Sequence, residues 1–307
     1  MPTRRIWLTG SSGFIGRQVV REFQEAGAHL LCLTNNRERA VSQAQHGHRF
    51  LDYSSPHDVR RAVEESGLPD AFIHLGWGGM TDPGAPVHLG ANVSDSANLV
   101  RTLFQAGLGT FVFLGSVNEY GAHAGLLVED VPAEGRMTDY AKGKAEVARI
   151  GLDEARAHDR IFVSIRLFYT YGPGQREGAL INTLYRCHFA GVPPDLGPCE
   201  HYRDYIHVRD VAEGIRRVSD AKESAVVNLG SGRAVQVREF VRMFWQALGH
   251  DPAEIRFGAN PMRAGEPEQP HAYARLERLR KLTGWTPGIP LEEGIRLTIE
   301  EMRREPT

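Results

Sequence analysis

The sequence predicts an α/β protein organised around a doubly wound parallel sheet, with a smaller mixed α/β lobe toward the C-terminus. Through the first half of the 307 residues, short apolar runs alternate with segments of helical spacing, which is typical of strand–helix–strand units. The run Phe111–Leu114 is apolar throughout, as expected for a parallel strand buried on both faces. After Tyr171 the rhythm changes, and the three prolines of Gly191–Pro198 predict a loop.

Each expected element follows from its own local pattern. Apolar residues three and four apart predict helices, such as the one that opens at Phe14 after a glycine-rich turn. Ser55 and Pro56 are typical of an N-cap and a first helical residue, and Asp210 is the expected N-cap of a later short helix. The expected strands are Arg5–Thr9, His29–Thr34, Arg49–Asp52, Ala71–Leu75, Phe111–Leu114, Ile161–Leu167 and Val226–Leu229. The other expected helices include Leu89–Phe104, Thr138–Ala157, Val237–Leu248 and Leu291–Met302.

The charge and hydropathy patterns exclude several classes of function. Lysine and arginine number 36 against 38 acidic residues, and the net charge of −2 offers no electrostatic footprint for nucleic acid or an anionic membrane. No apolar run approaches the roughly 20 residues that a membrane span needs. The apolar start after Arg5 is too short for a signal peptide, so we expect a cytoplasmic protein with no membrane partner.

The cysteines and histidines do not form a recognisable metal or disulfide pattern. The three cysteines are odd in number and scattered, which favours a reducing compartment: Cys32, Cys187 and Cys199. The closest histidine pairs lack the helical spacing and cysteine partners of a zinc site: His46/His48 and His201/His207. We therefore expect loop and surface histidines and no metal.

A glycine-rich turn joins the first expected strand to its helix. Gly10, Gly13 and Gly16 have the G-x-x-G-x-x-G spacing, and glycine is needed where the backbone turns tightly and approaches a pyrophosphate. Ser12, Phe14 and Ile15 complete the turn and the helix N-terminus, whose free N–H groups and partial positive charge favour an anion. At the first strand–helix junction this pattern predicts a dinucleotide site.

The tip of the second strand indicates which dinucleotide. A carboxylate at this position would bind the ribose 2′-hydroxyl of NAD, whereas basic and amide residues suit the 2′-phosphate of NADP. The strand ends in Asn35, Asn36 and Arg37, without a carboxylate at its tip. The sequence therefore favours NADP over NAD, although these residues are also compatible with a solvated turn.

Three polar side chains suggest acid–base chemistry near the sheet. Tyr140 and Lys144 lie four residues apart and share a face of the expected helix, where an ammonium would lower the pKa of the phenol. Ser116 follows the fifth strand, at the end of the sheet where ligands bind. The Tyr–Lys pair alone is also compatible with a surface couple.

Together these motifs resemble the extended short-chain dehydrogenase/reductase family of nucleotide-sugar epimerases, dehydratases and ketoreductases, across essentially the whole chain. The resemblance implies a Rossmann-type domain over residues 1–170 and about 204–230, and a nucleotide-sugar lobe over about 171–203 and 231–307. Further matching segments are His74–Gly76, Asn92, Arg166, Tyr171–Gln175, Arg203–Ala212 and Thr283–Pro287.

The resemblance also implies residue roles. Tyr140 would be the general acid/base, Lys144 would hold the nicotinamide ribose, and Ser116 would bind the reacting oxygen. Arg203 would grip the substrate diphosphate, with Arg263 as a second nucleotide contact. The other implied cofactor contacts are Asp52, Tyr53, Leu75, Gly76 and Asn92. Family members commonly pair through the tyrosine-bearing helix, so we expect a homodimer, with the apolar Val147 and Ile150 compatible with either an interface or the core.

Departures from the family pattern narrow the reaction. Dehydratases carry an acid just after the catalytic hydroxyl, whereas this chain has Asn118, which cannot donate or accept the proton of an elimination. Glu119 is displaced by one position, and strand alternation predicts that it points away from Asn118. Both residues are expected near the substrate. Trp77 stands where the family usually has an alanine-rich segment after the fourth strand. It is expected to form either a wall of the sugar pocket or a cap on the core.

The sequence therefore favours NADPH-dependent reduction of the 4-keto group of a nucleotide-activated 4-keto-6-deoxyhexose. A nucleotide-sugar 4-epimerase with tightly held cofactor would use the same residues. The alternative from another class is a non-catalytic NADP-binding regulator, which the intact Ser116, Tyr140 and Lys144 disfavour.

Overall fold

The structure is a computed structural model that describes residues 3–43, 48–261 and 272–304. Its strands are β1 (Arg5–Thr9), β2 (His29–Thr34), β3 (His48–Phe50), β4 (Ala71–His74), β5 (Thr110–Leu114), β6 (Gly125–Leu127), β7 (Ile161–Leu167), β8 (Tyr169–Tyr171), β9 (Asp195–Leu196), β10 (Tyr202–His207), β11 (Ala225–Leu229), β12 (Ala234–Gln236), β13 (Arg256–Phe257) and β14 (Ala272–Ala274). Its α-helices are α1 (Phe14–Glu25), α2 (Arg37–Ser42), α3 (Pro56–Ser66), α4 (Ala91–Gln105), α5 (Asp139–His158), α6 (Leu180–Ala190), α7 (Val208–Val218), α8 (Val237–Ala247), α9 (Glu277–Thr283) and α10 (Leu291–Arg304).

A seven-stranded parallel sheet forms the centre of the fold, with the order β11-β7-β5-β4-β1-β2-β3. The expected doubly wound α/β sheet is confirmed, and its strands begin and end within one or two residues of their predicted positions. The chain order reverses between β1 and β4. Ligands of such sheets bind at this reversal, beyond the carboxyl ends of the strands.

Both faces of the sheet are covered, because its strands alternate apolar residues toward two separate cores. On β1, Ile6 and Leu8 join a core that includes Phe23 of α1 and Ile215 of α7. Trp7 points to the opposite core, which α3, α4 and α5 close. This double coverage explains the unbroken apolar run that predicted β5.

Among the described residues, three smaller sheets lie outside the central sheet, in the orders β12-β10-β8, β13-β9 and β14-β6. The first two contribute to a third core, built on aromatic residues of α8 such as Phe240, Phe244 and Trp245 with Ile295 and Ile299 of α10. The β14-β6 sheet packs in a separate small core through Leu127, Ala272 and Ala274. These elements are the smaller mixed α/β part that the sequence predicts. None of the α-helices in the described ranges has the length and apolar character to span a bilayer.

Two local expectations about helix ends have different outcomes. Ser55 caps α3, since its side chain accepts the N–H of Asp58 at 3.1 Å with Pro56 in the first turn, as predicted. The prediction for Asp210 is wrong, because His207 is the N-cap of α7. The Asp210 carboxylate instead accepts the N–H of Ile289 at 2.9 Å, a partner distant in sequence that local patterns do not reveal.

Candidate active site

The glycine-rich turn between β1 and α1 packs too closely for side chains. Gly10 has φ +73°, and a Cβ there would lie 2.7 Å from the backbone nitrogen of Gly76. A Cβ on Gly16 would collide with the carbonyl oxygen of Gly10. The N-cap Gly13 has no side chain, and the first turn of α1, from Phe14 and Ile15, carries no acidic residue. This bare backbone cradle, with its unpaired helix N–H groups, fits the pyrophosphate of a dinucleotide.

A buried hydrogen-bond chain fixes the far side of this cradle. The N–H of Gly76 donates to Thr9 Oγ1 at 3.1 Å, and Thr9 Oγ1 lies 2.6 Å from His74 Nδ1. His74 Nε2 lies 2.9 Å from Ser96 Oγ, which donates to the carbonyl of Asn92 at 2.6 Å. These partners are consistent with one arrangement, in which His74 carries its proton on Nε2 and accepts from Thr9. Burial lowers the pKa of His74 to about 3, so the ring is neutral.

At the tip of β2, the described side chains form an exposed turn and the start of α2. Asn36 caps the helix through its side-chain oxygen, which accepts the N–H of Arg39 at 2.8 Å, and Asn35 is exposed beside it. The guanidinium of Arg37 lies 4.1 Å from the centroid of the Phe50 ring on β3. Arg37 therefore offers a positive charge at this edge, whereas the Asn36 oxygen already has a structural partner.

Three residues implied as cofactor contacts form hydrogen bonds with other groups of the protein. Asp52 Oδ1 accepts the backbone and hydroxyl groups of Ser54 at 3.0 and 2.7 Å. The Tyr53 ring is buried and its hydroxyl donates to the carbonyl of Leu33 at 3.0 Å, so its side chain does not face the cofactor cradle. The Asn92 amide donates to the carbonyl of Gly78 and accepts its N–H, both at 3.0 Å, so it secures the loop after β4. For Tyr53 and Asn92 the structure thus replaces an expected side-chain contact with a structural role.

Ser116, Tyr140 and Lys144 meet at the carboxyl end of β5. Ser116 caps a 3-10 turn directly after the strand, and its side chain hydrogen-bonds to Tyr140 from α5. Thr138 caps α5 by accepting the N–H of Ala141, which begins the helix just before Tyr140. Burial raises the pKa of Tyr140 to about 12 despite the hydrogen bond from Ser116. The expected lowering of this pKa by Lys144 is therefore wrong for the isolated chain, and the phenol keeps its proton at neutral pH.

The ammonium of Lys144 lies in a buried, largely aromatic site. Its Nζ donates to the carbonyl of Leu114 at 2.6 Å and lies 3.9 Å from the Trp77 ring centroid and 4.8 Å from that of Phe113. Burial lowers the pKa of Lys144 to about 7, while the nearby Glu119 acts to raise it. Trp77 is half-buried and packs against the core on the α3–α5 side of the sheet, and its expected place in the wall of the sugar pocket stays a prediction.

Glu119 has a different place from the one predicted. Residues Val117–Tyr120 form a 3-10 turn rather than a strand, so strand alternation does not apply. The Glu119 carboxylate folds back to accept the N–H of Ser116 at 2.7 Å and pairs with Arg166 at 3.3 Å, with 1% of its side chain exposed. Its expected role as a substrate contact is therefore wrong, whereas Asn118 remains half-exposed beside Ser116. The S-x-x-E pattern of a capping box was the signal for this contact.

A cavity of about 770 Å³ lies among β8, β10, α6 and α8. Arg203 lines it with 4% of its surface exposed, and its guanidinium lies 4.5 Å from the Tyr169 ring. Arg186 and His201 also face this cavity. Arg176, next to the lining residue Gln175, donates to the carbonyl of Met80, which links this region to the loop beside Tyr140. Arg263, the other expected nucleotide contact, lies outside the described residues.

Other sequence expectations have mixed outcomes. Val147 is fully buried in the protein's own core and is not available to a partner, whereas Ile150 is half-buried. Among residues 3–43, 48–261 and 272–304, no group of three or more histidine, cysteine or acidic residues could hold a metal ion. His46 lies outside those residues. His88, which contacts both Trp77 and Tyr140, was not predicted, because no local pattern distinguishes it from the other histidines.

Comparison with known proteins places this geometry in context. Residues 6–230 match the model of the NAD dependent epimerase/dehydratase family. The chain is 26% identical to the GDP-6-deoxy-D-mannose reductase of Pseudomonas aeruginosa, over 97% of each protein. It is also 29% identical to the UDP-glucose 4-epimerase of Neisseria meningitidis serogroup B, over 86% of this chain and 87% of that protein.

Solved structures of similar fold contain either nicotinamide cofactor. The protein RMD from Pseudomonas aeruginosa, complexed with NADPH, is 25% identical with a TM-score of 0.79, over 99% of this chain and all of that chain. MoeE5, in complex with UDP-glucuronic acid and NAD, is 26% identical with a TM-score of 0.80, over 98% and 99% of the two chains. These likenesses agree with a nicotinamide cofactor and leave the choice between NAD and NADP open.

Proposed function

The chain belongs to the NAD dependent epimerase/dehydratase family, and from this membership we propose that it reduces the 4-keto group of a nucleotide-activated 4-keto-6-deoxyhexose with NADPH. We assign the cofactor to residues 1–170 with about 204–230, and the nucleotide sugar to about 171–203 and 231–307. The reductase of Pseudomonas aeruginosa, similar along nearly its whole length, supports this reaction class.

The cofactor site rests on the glycine cradle. The loop of Gly10, Ser12 and Gly13 with the first turn of α1 would hold the pyrophosphate, and Gly76 closes the other side. Asp52 would contact the adenine, and Arg37 the 2′-phosphate. When bound there, the reduced nicotinamide supplies a hydride.

The observation that carries the proposal is a protonated Tyr140 hydrogen-bonded to Ser116 at the end of β5. Addition of a hydride to a ketone leaves an alkoxide, which needs a proton from a nearby acid. A phenol whose pKa is raised to about 12 is loaded with that proton at neutral pH. The preference for reduction over 4-epimerisation rests on the similar reductase of Pseudomonas aeruginosa.

Three side chains of the protein have separate roles in the reduction. Ser116 hydrogen-bonds the carbonyl oxygen and polarises it, and Tyr140 donates its proton to the same oxygen as charge develops there. Lys144, fixed by the Leu114 carbonyl, stabilises the negative charge left on Tyr140. Asn118, beside Ser116, has no carboxyl group to remove a proton from carbon, so no elimination competes.

The cavity among β8, β10, α6 and α8 is the expected binding site for the diphosphate of an activated sugar. A nucleoside diphosphate carries two negative charges that need a fixed partner, and the Arg203 guanidinium offers fork geometry for phosphate oxygens. Arg203 is nearly buried, so its charge is little screened by water. We therefore assign the substrate diphosphate to this cavity.

A 4-epimerase is the second candidate, because the epimerase of Neisseria meningitidis is 29% identical over most of the chain. The experiment that separates the two uses purified protein, NADPH and a panel of nucleotide-linked 4-keto-6-deoxyhexoses. Nicotinamide absorbance and sugar products are followed together. We expect one NADPH consumed for each 4-hydroxyl product. Sugar conversion without NADPH loss would establish the epimerase instead, and cofactor binding without turnover on any substrate of either class would favour a regulator.

Replacement of Arg37 by alanine tests the cofactor preference. A charge-assisted contact to the 2′-phosphate predicts that NADPH affinity falls about 10- to 100-fold while NADH affinity changes little. Dissociation constants for both cofactors, measured by nicotinamide fluorescence, give the answer. Arg39→Ala is the matched control on the same helix, since the Arg39 N–H and not its charge is used by Asn36. Equal losses for NADPH and NADH would show that Arg37 does not recognise the phosphate.

A further inference from the structure

Trp77 contacts Lys144, a residue with a role in the proposed reaction, although the proposed reaction gives Trp77 itself no role. The indole follows β4 and lies over the Lys144 ammonium, 3.9 Å from Nζ to the ring centroid. Its ring also packs edge-on to Tyr140, with centroids 6.3 Å apart. A tryptophan face is the strongest aromatic partner of a cation, and more so where water is excluded.

His88 fixes the orientation of this indole. The Trp77 N–H donates to His88 Nδ1 at 2.9 Å, and His88 Nε2 lies 2.8 Å from the carbonyl oxygen of Asp82. An indole N–H can only donate and a carbonyl can only accept, so His88 carries its proton on Nε2 and leaves Nδ1 as the acceptor. His88 is fully buried, and its ring also contacts Tyr140 at 5.4 Å between centroids.

The backbone brings α5 directly against this pair. A Cβ at Gly143 would collide with the carbonyl oxygen of His88 and come within 3.3 Å of the Trp77 ring. The N–H of Tyr140 donates to the carbonyl of Pro83 at 3.0 Å, so the start of α5 is bonded to the same loop. The turn that carries Tyr140 and Lys144 is thus docked on the segment between Trp77 and His88.

We propose that Trp77 is a positioning residue: its indole, oriented by His88, holds the Lys144 ammonium at the end of β5, next to Ser116 and Tyr140. Any effect of Trp77 on the rate of reduction rests on the proposed function. The contact itself is a property of the protein alone.

The charge balance around Lys144 makes the proposal measurable. Lys144 faces the Leu114 carbonyl and the Phe113 ring of β5. It also faces Glu119 of the turn after β5, and this carboxylate is paired with Arg166. The neutral His74 faces it from β4. Tyr140 faces it from its own helix. Since the indole favours only the charged form of Lys144, its loss should lower the pKa of the amine further, by about one unit.

The chain has only four lysines, so this pKa can be measured directly. In protein labelled with ¹³C at the lysine ε-carbon, Lys144→Arg assigns the Lys144 signal, and Lys142, Lys222 and Lys281 serve as internal references. We expect Lys144 to titrate about one pH unit lower in Trp77→Leu than in the parent. Trp77→Phe, which keeps a ring face, should shift it less.

One further pair of variants and one control make the test specific. His88→Leu removes the acceptor of the indole N–H and should lower the Lys144 titration, whereas His88→Asn places an oxygen near the Nδ1 position and should restore it. Trp285→Leu is the matched control, because Trp285 is also half-buried but packs on the opposite core beside Gly214. Trp285→Leu should leave the pKa of Lys144 unchanged.

An unchanged or raised titration in Trp77→Leu would overturn the proposal, since the indole would then do no more than exclude water. If Trp77→Leu does not fold, which a collapse of the four lysine signals toward one position would reveal, Trp77→Phe and the His88 pair decide the question. The catalytic consequence is read from the pH profile of reduction, whose alkaline limb should move with the Lys144 titration. A parent without turnover would contradict the proposed function and leave the NMR result intact, so the two failures are distinguishable.

Discussion

Replacing Tyr140 with phenylalanine should reduce the turnover of a nucleotide-linked 4-keto sugar by about 10²- to 10⁴-fold, the usual contribution of a general acid. The hydroxyl that is lost is hydrogen-bonded to Ser116 and keeps its proton at neutral pH, because burial raises its pKa to about 12. The ring that remains still packs against Trp77 and His88, so the fold and cofactor affinity should be preserved. Steady-state kinetics and cofactor titration measure the two effects separately.

Tyr185→Phe is a matched control for this substitution. The Tyr185 hydroxyl is also buried, but it has no hydrogen-bond partner among the described residues, and it lies on α6 away from β5. Its removal should leave turnover near the parent value. If Tyr140→Phe kept the kcat of the parent, Tyr140 would not be the proton donor, and the role assigned to Ser116 would have to be reconsidered with it.

Replacing Glu119 with valine should lower the free energy of unfolding by about 3–5 kcal/mol. The substitution leaves the Arg166 guanidinium, which has 16% of its side chain exposed, without its buried carboxylate. It also removes the acceptor of the Ser116 N–H, which would be left unsatisfied in the interior. Chemical denaturation followed by circular dichroism measures the change.

Two comparisons isolate the cause of this loss. Glu119→Gln keeps an oxygen for the Ser116 N–H and removes only the charge, so it should be less destabilising than valine. Arg149→Ala breaks an exposed ion pair with Glu146 and should leave the denaturation midpoint almost unchanged. A valine variant as stable as Arg149→Ala would show that the Glu119–Arg166 pair contributes nothing net to the fold.

The sequence was informative wherever structure follows from local pattern. The strands were predictable because residues such as Phe111 and Val112 are buried on opposite faces of one sheet and must both be apolar. The glycine turn was predictable because Gly10 and Gly16 have no room for a side chain. The family resemblance implied roles for Tyr140 and Ser116 at one site, and in the structure the two side chains lie together.

The sequence was less informative where distant segments decide the outcome. The acidity of Tyr140 could not be inferred from Lys144 four residues away, since burial by other elements dominates it. Asp210 looked like an N-cap because the N–H of Ile289, its real partner, is remote in the chain. His88 became visible only when the loop after β4 brought it to Trp77.

The position of β11 at the end of the central sheet has a consequence for synthesis on the ribosome. Ala225–Leu229 pairs with β7, yet it is translated well after Ile161–Leu167 has emerged. Helix α7, which covers one face through Val211 and Ile215, is made at the same late stage. Until then the nascent chain exposes an unpaired strand edge and an uncovered apolar face, the two features that promote association with other chains. We therefore expect the growing polypeptide to associate with other chains most readily just before its final third appears.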